Sequence, residues 1–179
     1  MFRRRVLAWL IAALVSVPVG AQAQALKPHE PLNPAKAQSL PLTPLVIEID
    51  GARHAFQVEL ADTDATRTIG LMHRTYLAPD RGMLFDFKRT RDVGMWMRNT
   101  FISLDMLFID RDGRVIAVAE RTKPHSEQSI GPNRPVLAVL ELAAGTAARI
   151  GLKPGAMVRH AMFGTDPGAP LPPATAKQP

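Results

Sequence analysis

Between Leu45 and Phe163 the apolar residues come in short runs, most of them closed by a turn-forming pair, and this punctuation limits what the chain can fold into. Leu45-Val46-Ile47-Glu48-Ile49 is rich in β-branched residues, and Asp50-Gly51 follows it. Phe56, Val58 and Leu60 then alternate with Ala55, Gln57 and Glu59. Two such runs about a turn-prone pair read as a β-hairpin, because glycine takes the positive φ that a tight turn requires. Asp62 or Thr63 can cap a short helix with Ile69, Met72 and Ala65 facing inward. Further strands are expected over Met83–Phe87, Val93–Asn99 and Leu104–Asp110. Asp112-Gly113 turns the chain into another at Arg114–Ala119. Arg121–Arg134 holds Pro124, Gly131 and Pro132 and reads as a long loop. Val136–Leu142 is a strand. Ala147–Ile150 is one helical turn ended by Gly151, and Ala156–Phe163 is a closing strand. The expectation is a mainly β fold: a single compact β-barrel-like domain with two short helices.

The ends of the chain differ from this middle. Arg3, Arg4 and Arg5 precede an apolar stretch from Val6 to Val19, and Ala21-Gln22-Ala23 supplies small residues at a cleavage position. Residues 1–25 therefore read as a signal peptide. The apolar stretch is shorter than the roughly 20 residues that cross a bilayer as a helix. Residues 26–44 and 164–179 are proline-rich and without apolar periodicity. They read as a linker and a disordered tail around a domain at 45–163. The expected location is periplasmic or secreted, after cleavage of the leader. There is no cysteine, so disulfides, thiol chemistry and a lipid anchor on a cleavage-site Cys are excluded.

Formal charge is +6, but residues 1–23 carry three of the 22 basic residues and none of the 16 acidic ones. The mature chain is left near +3, with mixed signs along its length. A nucleic-acid binder concentrates Lys and Arg on one element, and no such cluster occurs.

Alternation places Val93, Met95, Met97 and Asn99 on one face of the expected central strand, and Gly94, Trp96, Arg98 and Thr100 on the other. An aromatic plane beside a guanidinium fork suits a ligand with an apolar or sugar-like body and an anionic group. The same pair could instead stack simply to close a barrel end. Asn99 and Thr100 add donors and acceptors where the strand ends. Asp105 and Glu141 stand among apolar residues of their strands, so each needs a partner, and Arg74 and Arg98 are the available cations. Two structural ion pairs would satisfy them. A pair of carboxylates poised for acid–base work is the alternative. Met95 and Met97 invite a copper reading, but on an apolar face methionine fills core. His54, His73, His125 and His160 show no ligand spacing, so no metal is expected. Ser126 has no evident base, and no nucleophile elbow, phosphate loop or dinucleotide fingerprint occurs, so no cofactor is expected.

Four motifs stand close together: Gly70-Leu71-Met72-His73-Arg74, Arg81-Gly82-Met83-Leu84-Phe85-Asp86-Phe87, Met95-Trp96-Met97-Arg98-Asn99-Thr100 and Leu104-Asp105-Met106-Leu107-Phe108-Ile109. Their pattern resembles the family called domain of unknown function 192, over roughly residues 45 to 163. The resemblance implies a compact β-barrel-like fold and marks Trp96, Arg98, Asn99, Thr100, Asp105 and Glu141 as matching positions. It supplies no reaction. Met95, Ser103 and Ala156 depart from the pattern, where an aromatic, a proline and an acid are usual.

These readings favour a non-enzymatic binding module. Its expected partner is a small polar or anionic ligand or an envelope polymer, held by Trp96, Arg98, Asn99, Thr100, Asp105, Glu141 and Arg74. No nucleic acid and no stable membrane insertion after cleavage are expected, and the sequence sets no oligomeric state. A hydrolase or lyase using Asp105 or Glu141 is a second reading. A chaperone-like envelope assembly factor with a Met-rich surface is a third.

Overall fold

The computed structural model describes residues 29–169. The leader at 1–25 and the last ten residues of the tail lie outside the described residues. Seven strands and two short helices follow in the order β1 Leu42–Ile49, β2 Ala52–Ala61, α1 Asp64–Ile69, β3 Arg81–Arg91, β4 Leu104–Ile109, β5 Val115–Ala119, β6 Val136–Ala143, α2 Thr146–Ile150 and β7 Met157–Arg159. Single 3-10 turns stand at Pro34–Lys36 and Ala161–Phe163. The strands form one curled sheet in the order β5-β4-β6-β3-β2-β1-β7. Only β2 and β3 pair in parallel, joined by the crossover that carries α1. The two edges meet at one end: Val115 N–H donates to Ala156 O at 2.8 Å, and Val158 N–H to Gly113 O at 2.7 Å. The mainly β, barrel-like expectation holds.

Both expected hairpins form. Gly51 and Gly113 take φ of 85° and 82° at the two turns. Thr63 caps α1 by accepting from Thr66 N–H, and the Thr66 side chain accepts from Thr63 N–H in return. Gly151 ends α2 in the left-handed conformation.

Three elements differ from expectation. The run Val93–Asn99 is not a strand. Met95 exchanges 2.8 Å bonds with Ile130 and Met97 donates to Ser126 O, after which the chain turns at Arg98-Asn99. Its neighbour is the 121–134 loop, whose prolines and Gly131 break a continuing ladder. Alternation survives only in part in the burial: Val93, Met97 and Asn99 are buried and Trp96 is exposed, but Thr100, past the turn, is buried too. Helix α1 buries none of its residues. Ile69 stays outside, and Leu71, beyond the Gly70 turn, enters the core instead. A helix of under two turns is too short to fix which face points inward. The closing strand stops at Arg159, because His160 Nδ1 accepts from Met162 N–H at 3.1 Å and starts the 3-10 turn.

The proline-rich segment expected as a linker lies across the domain from residue 29 to residue 41. Glu30 N–H donates to Asn99 Oδ1 at 3.2 Å and Leu40 N–H to Glu59 Oε2 at 2.7 Å. Gln38 Nε2 donates to the carbonyls of Thr66 at 2.8 Å and Gly70 at 3.0 Å. Hydrogen bonds replace the missing apolar periodicity as the means of attachment.

Apolar side chains fill both faces of the sheet centre. Leu45, Ile47, Val58, Leu107, Ile109 and Leu140 belong to one cluster. Met83, Phe85, Met97, Met106, Phe108 and Val139 belong to the other, which the chain from Leu71 to Ile102 covers. Strand β4 is buried along its whole length.

Candidate functional site

Glu141 is the anomaly of the second cluster. It lies on β6 opposite Met83 of β3 and Met106 of β4, both fully buried, and is itself 4% exposed. Among the described residues its carboxylate has no hydrogen-bond partner and no cation. Burial pushes its pKa up to about 8, so the carboxyl is mainly protonated at neutral pH. A buried polar group without a partner costs free energy, and here the polar atoms face a space. A shaft of about 20 Å³ runs from Glu141 and Thr100 past Phe85 to Trp96 and the last turn of α1. That volume admits about one water-sized group.

The shaft shares Arg67, Thr68, Phe85, Met95 and Trp96 with an outer cleft of about 360 Å³. Phe87 and Arg91 of β3 form its far wall. The guanidinium of Arg91 sits over the Phe87 ring at 5.4 Å and that of Arg67 at 5.8 Å. Arg67 is already paired with Asp64 and donates to Asp86 O at 2.6 Å. No described carboxylate pairs with Arg91. Trp96 is 46% exposed and lines both the shaft and the cleft.

The other residues expected at the site are dispersed. Asp105 is fully buried, but its two oxygens accept from Arg121 N–H and Ala147 N–H, each at 2.8 Å. It ties the start of α2 to the loop after β5. Residues opposite each other in an antiparallel pair share a face, and Glu141 stands opposite Met106, so Asp105 lies on the other face of the sheet. The two carboxylates cannot act on one substrate. Arg74 does not meet either of them. It forms a bidentate pair with Glu59 at 2.7 and 2.8 Å and also donates to Gln38 O. Arg98 faces Glu127 of the long loop at 3.9 Å and lies 6.0 Å from the Trp96 ring. Asn99 takes φ of 51° in the turn, and its carbonyl accepts from His73 N–H at 2.9 Å. Asparagine tolerates that conformation, and the Asn99 Oδ1 accepts from Glu30 N–H, away from the Glu141 cavity. Thr100 is buried beside Glu141, with its hydroxyl on Arg98 O at 3.2 Å.

Of the seven expected residues, the structure brings Trp96, Thr100 and Glu141 together. The sequence reading missed Arg67, Phe87 and Arg91. Phe85 and Phe87 are two apart on one strand, and they share the face of Met83, opposite Glu141. That periodicity was the available signal for the aromatic wall. A count by twos from Phe87 also reaches Arg91, but the register shift between Asp86 and Arg91 means that such a count no longer fixes the face.

The family model DUF192, described as Uncharacterized ACR, matches residues 45–160. None of the curated proteins matches the chain. A structure from Sinorhizobium meliloti 1021, provisionally described as a transcription regulator, is 44% identical with a TM-score of 0.65. The match covers 70% of this chain and 99% of that one. A protein of unknown function from Novosphingobium aromaticivorans DSM 12444 is 37% identical with a TM-score of 0.66, covering 76% of this chain and 94% of that one. With its four motifs, its curled seven-stranded sheet and a match over residues 45–160, the chain belongs to the DUF192 family.

Proposed function

We propose that the protein is a binding module for a small polar or anionic ligand, held in the cleft between Trp96 and Arg91 with Glu141 at its foot. The observation that carries this is the Glu141 carboxyl, buried, without a partner among the described residues, and lining the same small cavity as Trp96. An outer cleft of about 360 Å³ has the size at which small-molecule sites begin. We place the protein after export, in the periplasm or outside the cell, on the evidence of residues 1–25. The transcription-regulator description of the Sinorhizobium relative does not extend to this chain in our reading. Basic and acidic residues are mixed along the sequence, and Arg67, Arg74 and Arg159 are each matched by a carboxylate, which does not favour DNA binding.

The test is a thermal-shift screen of the exported chain, its N-terminus sequenced, against sugars, organic acids, peptidoglycan fragments and metals. A stabilising ligand that no longer stabilises Trp96→Ala supports the proposal. A ligand that stabilises Trp96→Ala equally well places binding elsewhere and refutes it, as does a screen in which nothing shifts.

One observation favours a second reading. A carboxyl with a pKa of about 8 is a competent proton donor at neutral pH, which suits a hydrolase or lyase. Asp105 has no part in it, since both its oxygens are engaged by backbone N–H groups. Turnover that Glu141→Gln abolishes, without loss of ligand binding, would establish it. The assembly-factor reading has less support, because none of the described methionines is exposed.

A further inference from the structure

The cleft and its shaft impose different chemistry at their two ends. At the outer end Asp64 offsets Arg67, so the charge left over is that of Arg91. This favours an anionic group there, and a guanidinium grips carboxylate or phosphate with two parallel bonds. Between the ends stands the half-exposed ring of Trp96, across from Phe87. An exposed aromatic face in a cleft accepts a planar ring or the apolar face of a sugar. At the inner end the shaft of about 20 Å³ admits one oxygen-sized group. A second anion there would lose its hydration in the same apolar surroundings that keep the Glu141 carboxyl protonated. An ammonium would have to pass Arg67, which lines the same shaft, and would have to displace the carboxyl proton first. An uncharged acceptor, a carbonyl or hydroxyl oxygen, meets neither obstacle.

We propose that the cleft takes a ring-bearing anion with an uncharged hydrogen-bond acceptor at its far end: the anion meets Arg91, the ring lies on Trp96, and the acceptor reaches the Glu141 carboxyl. This rests on the reading of the cleft as a ligand site and names its ligand class. The ring can come from an aromatic acid or from an acidic sugar. The raised pKa of Glu141 agrees with its role as donor in this contact.

The test is calorimetry on the full chain with 4-carbamoylbenzoate, benzoate, benzamide, 4-(aminomethyl)benzoate and glucuronate. At about pH 6.5, 4-carbamoylbenzoate or glucuronate should bind about tenfold more tightly than benzoate, and without net proton exchange. Binding should weaken about tenfold by about pH 9 in the natural protein, where Glu141 has ionised, and should not weaken in Glu141→Gln, whose amide still donates. Arg91→Gln should weaken the carboxylates and leave benzamide unchanged. Preference for 4-carbamoylbenzoate over glucuronate names the aromatic source, and the reverse names the sugar. Equal binding of benzoate and 4-carbamoylbenzoate with a flat pH profile overturns the acceptor contact while leaving the cleft as a ligand site. Tightest binding by 4-(aminomethyl)benzoate, with proton release, overturns it in favour of a cationic tip. If no ring anion binds, the ligand class is wrong, and the broader screen then decides whether the cleft binds anything.

Discussion

Glu141 gives the pH dependence of stability a definite sign. Its folded pKa is about 8 against an ordinary 4.5, so between those values the folded protein holds a proton that the unfolded chain has released. Stability should therefore fall as pH rises through that window and level off above it. Glu141→Gln removes the titration. At about pH 8 the variant should be more stable than the natural protein by several kcal/mol, and at about pH 4 the two should agree, which denaturant melts at both pH values would show. His160 acts from the other side. Burial lowers its pKa below the usual 6.5, so acidification through that range costs stability, and this slope should remain in the variant. Its ring accepts from Met162 N–H at Nδ1 and meets Thr43 Oγ1 at 2.9 Å through Nε2, which suits the neutral form. The arginines divide in the same way between core and surface. Arg74 and Glu59 are a mostly buried bidentate pair, so Arg74→Met should cost about 3–5 kcal/mol by leaving Glu59 uncompensated. Arg98 is partly exposed and 3.9 Å from Glu127, so Arg98→Met should cost less than about 1 kcal/mol in the same melts.

Helix α1 forms part of the mouth of the shaft, yet six residues cannot hold a helix alone. Its start is fixed by the Thr63–Thr66 capping box, and near its end Gln38, from the N-terminal strap at 29–41, donates to the carbonyls of Thr66 and Gly70. The strap thus positions one wall of the cleft without entering it. Gln38→Ala should lower stability by about 1–2 kcal/mol. It should also speed hydrogen exchange at Gly70 N–H, which donates to Thr66 O at 2.9 Å. Unchanged exchange there would mean that Arg67, through its bond to Asp86 O, holds the helix without the strap. The opposite wall depends on close backbone approach. A Cβ on Gly94 would stand 2.3 Å from Ser129 Oγ, and one on Gly131 would stand 2.3 Å from Val93 O. These two glycines let the 121–134 loop lie against the segment that presents Trp96.

At the scale of the whole molecule, the described parts of the two proline-rich segments are joined to the domain by polar contacts. At the C-terminal end, Thr165 Oγ1 accepts from His160 N–H at 2.9 Å and donates to His160 O at 3.1 Å. Beyond it, Arg53 reaches the carbonyls of Pro167 and Ala169 on the exposed surface. Removing residues 166–179 should therefore leave the melting temperature within a few degrees, and removing Thr165 as well should lower it further. The sequence determined most of the strands, though not that Val93–Asn99 would leave the sheet, together with the two hairpins, the presence of both helices and the mainly β class. Those follow from local rules: alternation, the positive φ of glycine after aspartate, and a threonine oxygen placed to accept from a helix N–H. It also singled out Trp96, Thr100 and Glu141, because an aromatic beside a run of polar residues and a carboxylate among apolar neighbours are visible in one dimension. Only the tertiary structure decided which groups meet. Asp105 and Glu141 are alike in sequence, each an acid in an apolar strand. They separate because the register of β4 against β6 sends one to a helix N-terminus and the other to the shaft beside Thr100 and Phe85. Arg74 finds Glu59 because the parallel pairing of β2 with β3, through the crossover that holds α1, brings the residues after α1 back over β2. Register and crossover arise from pairing between distant segments, so no local pattern carries them.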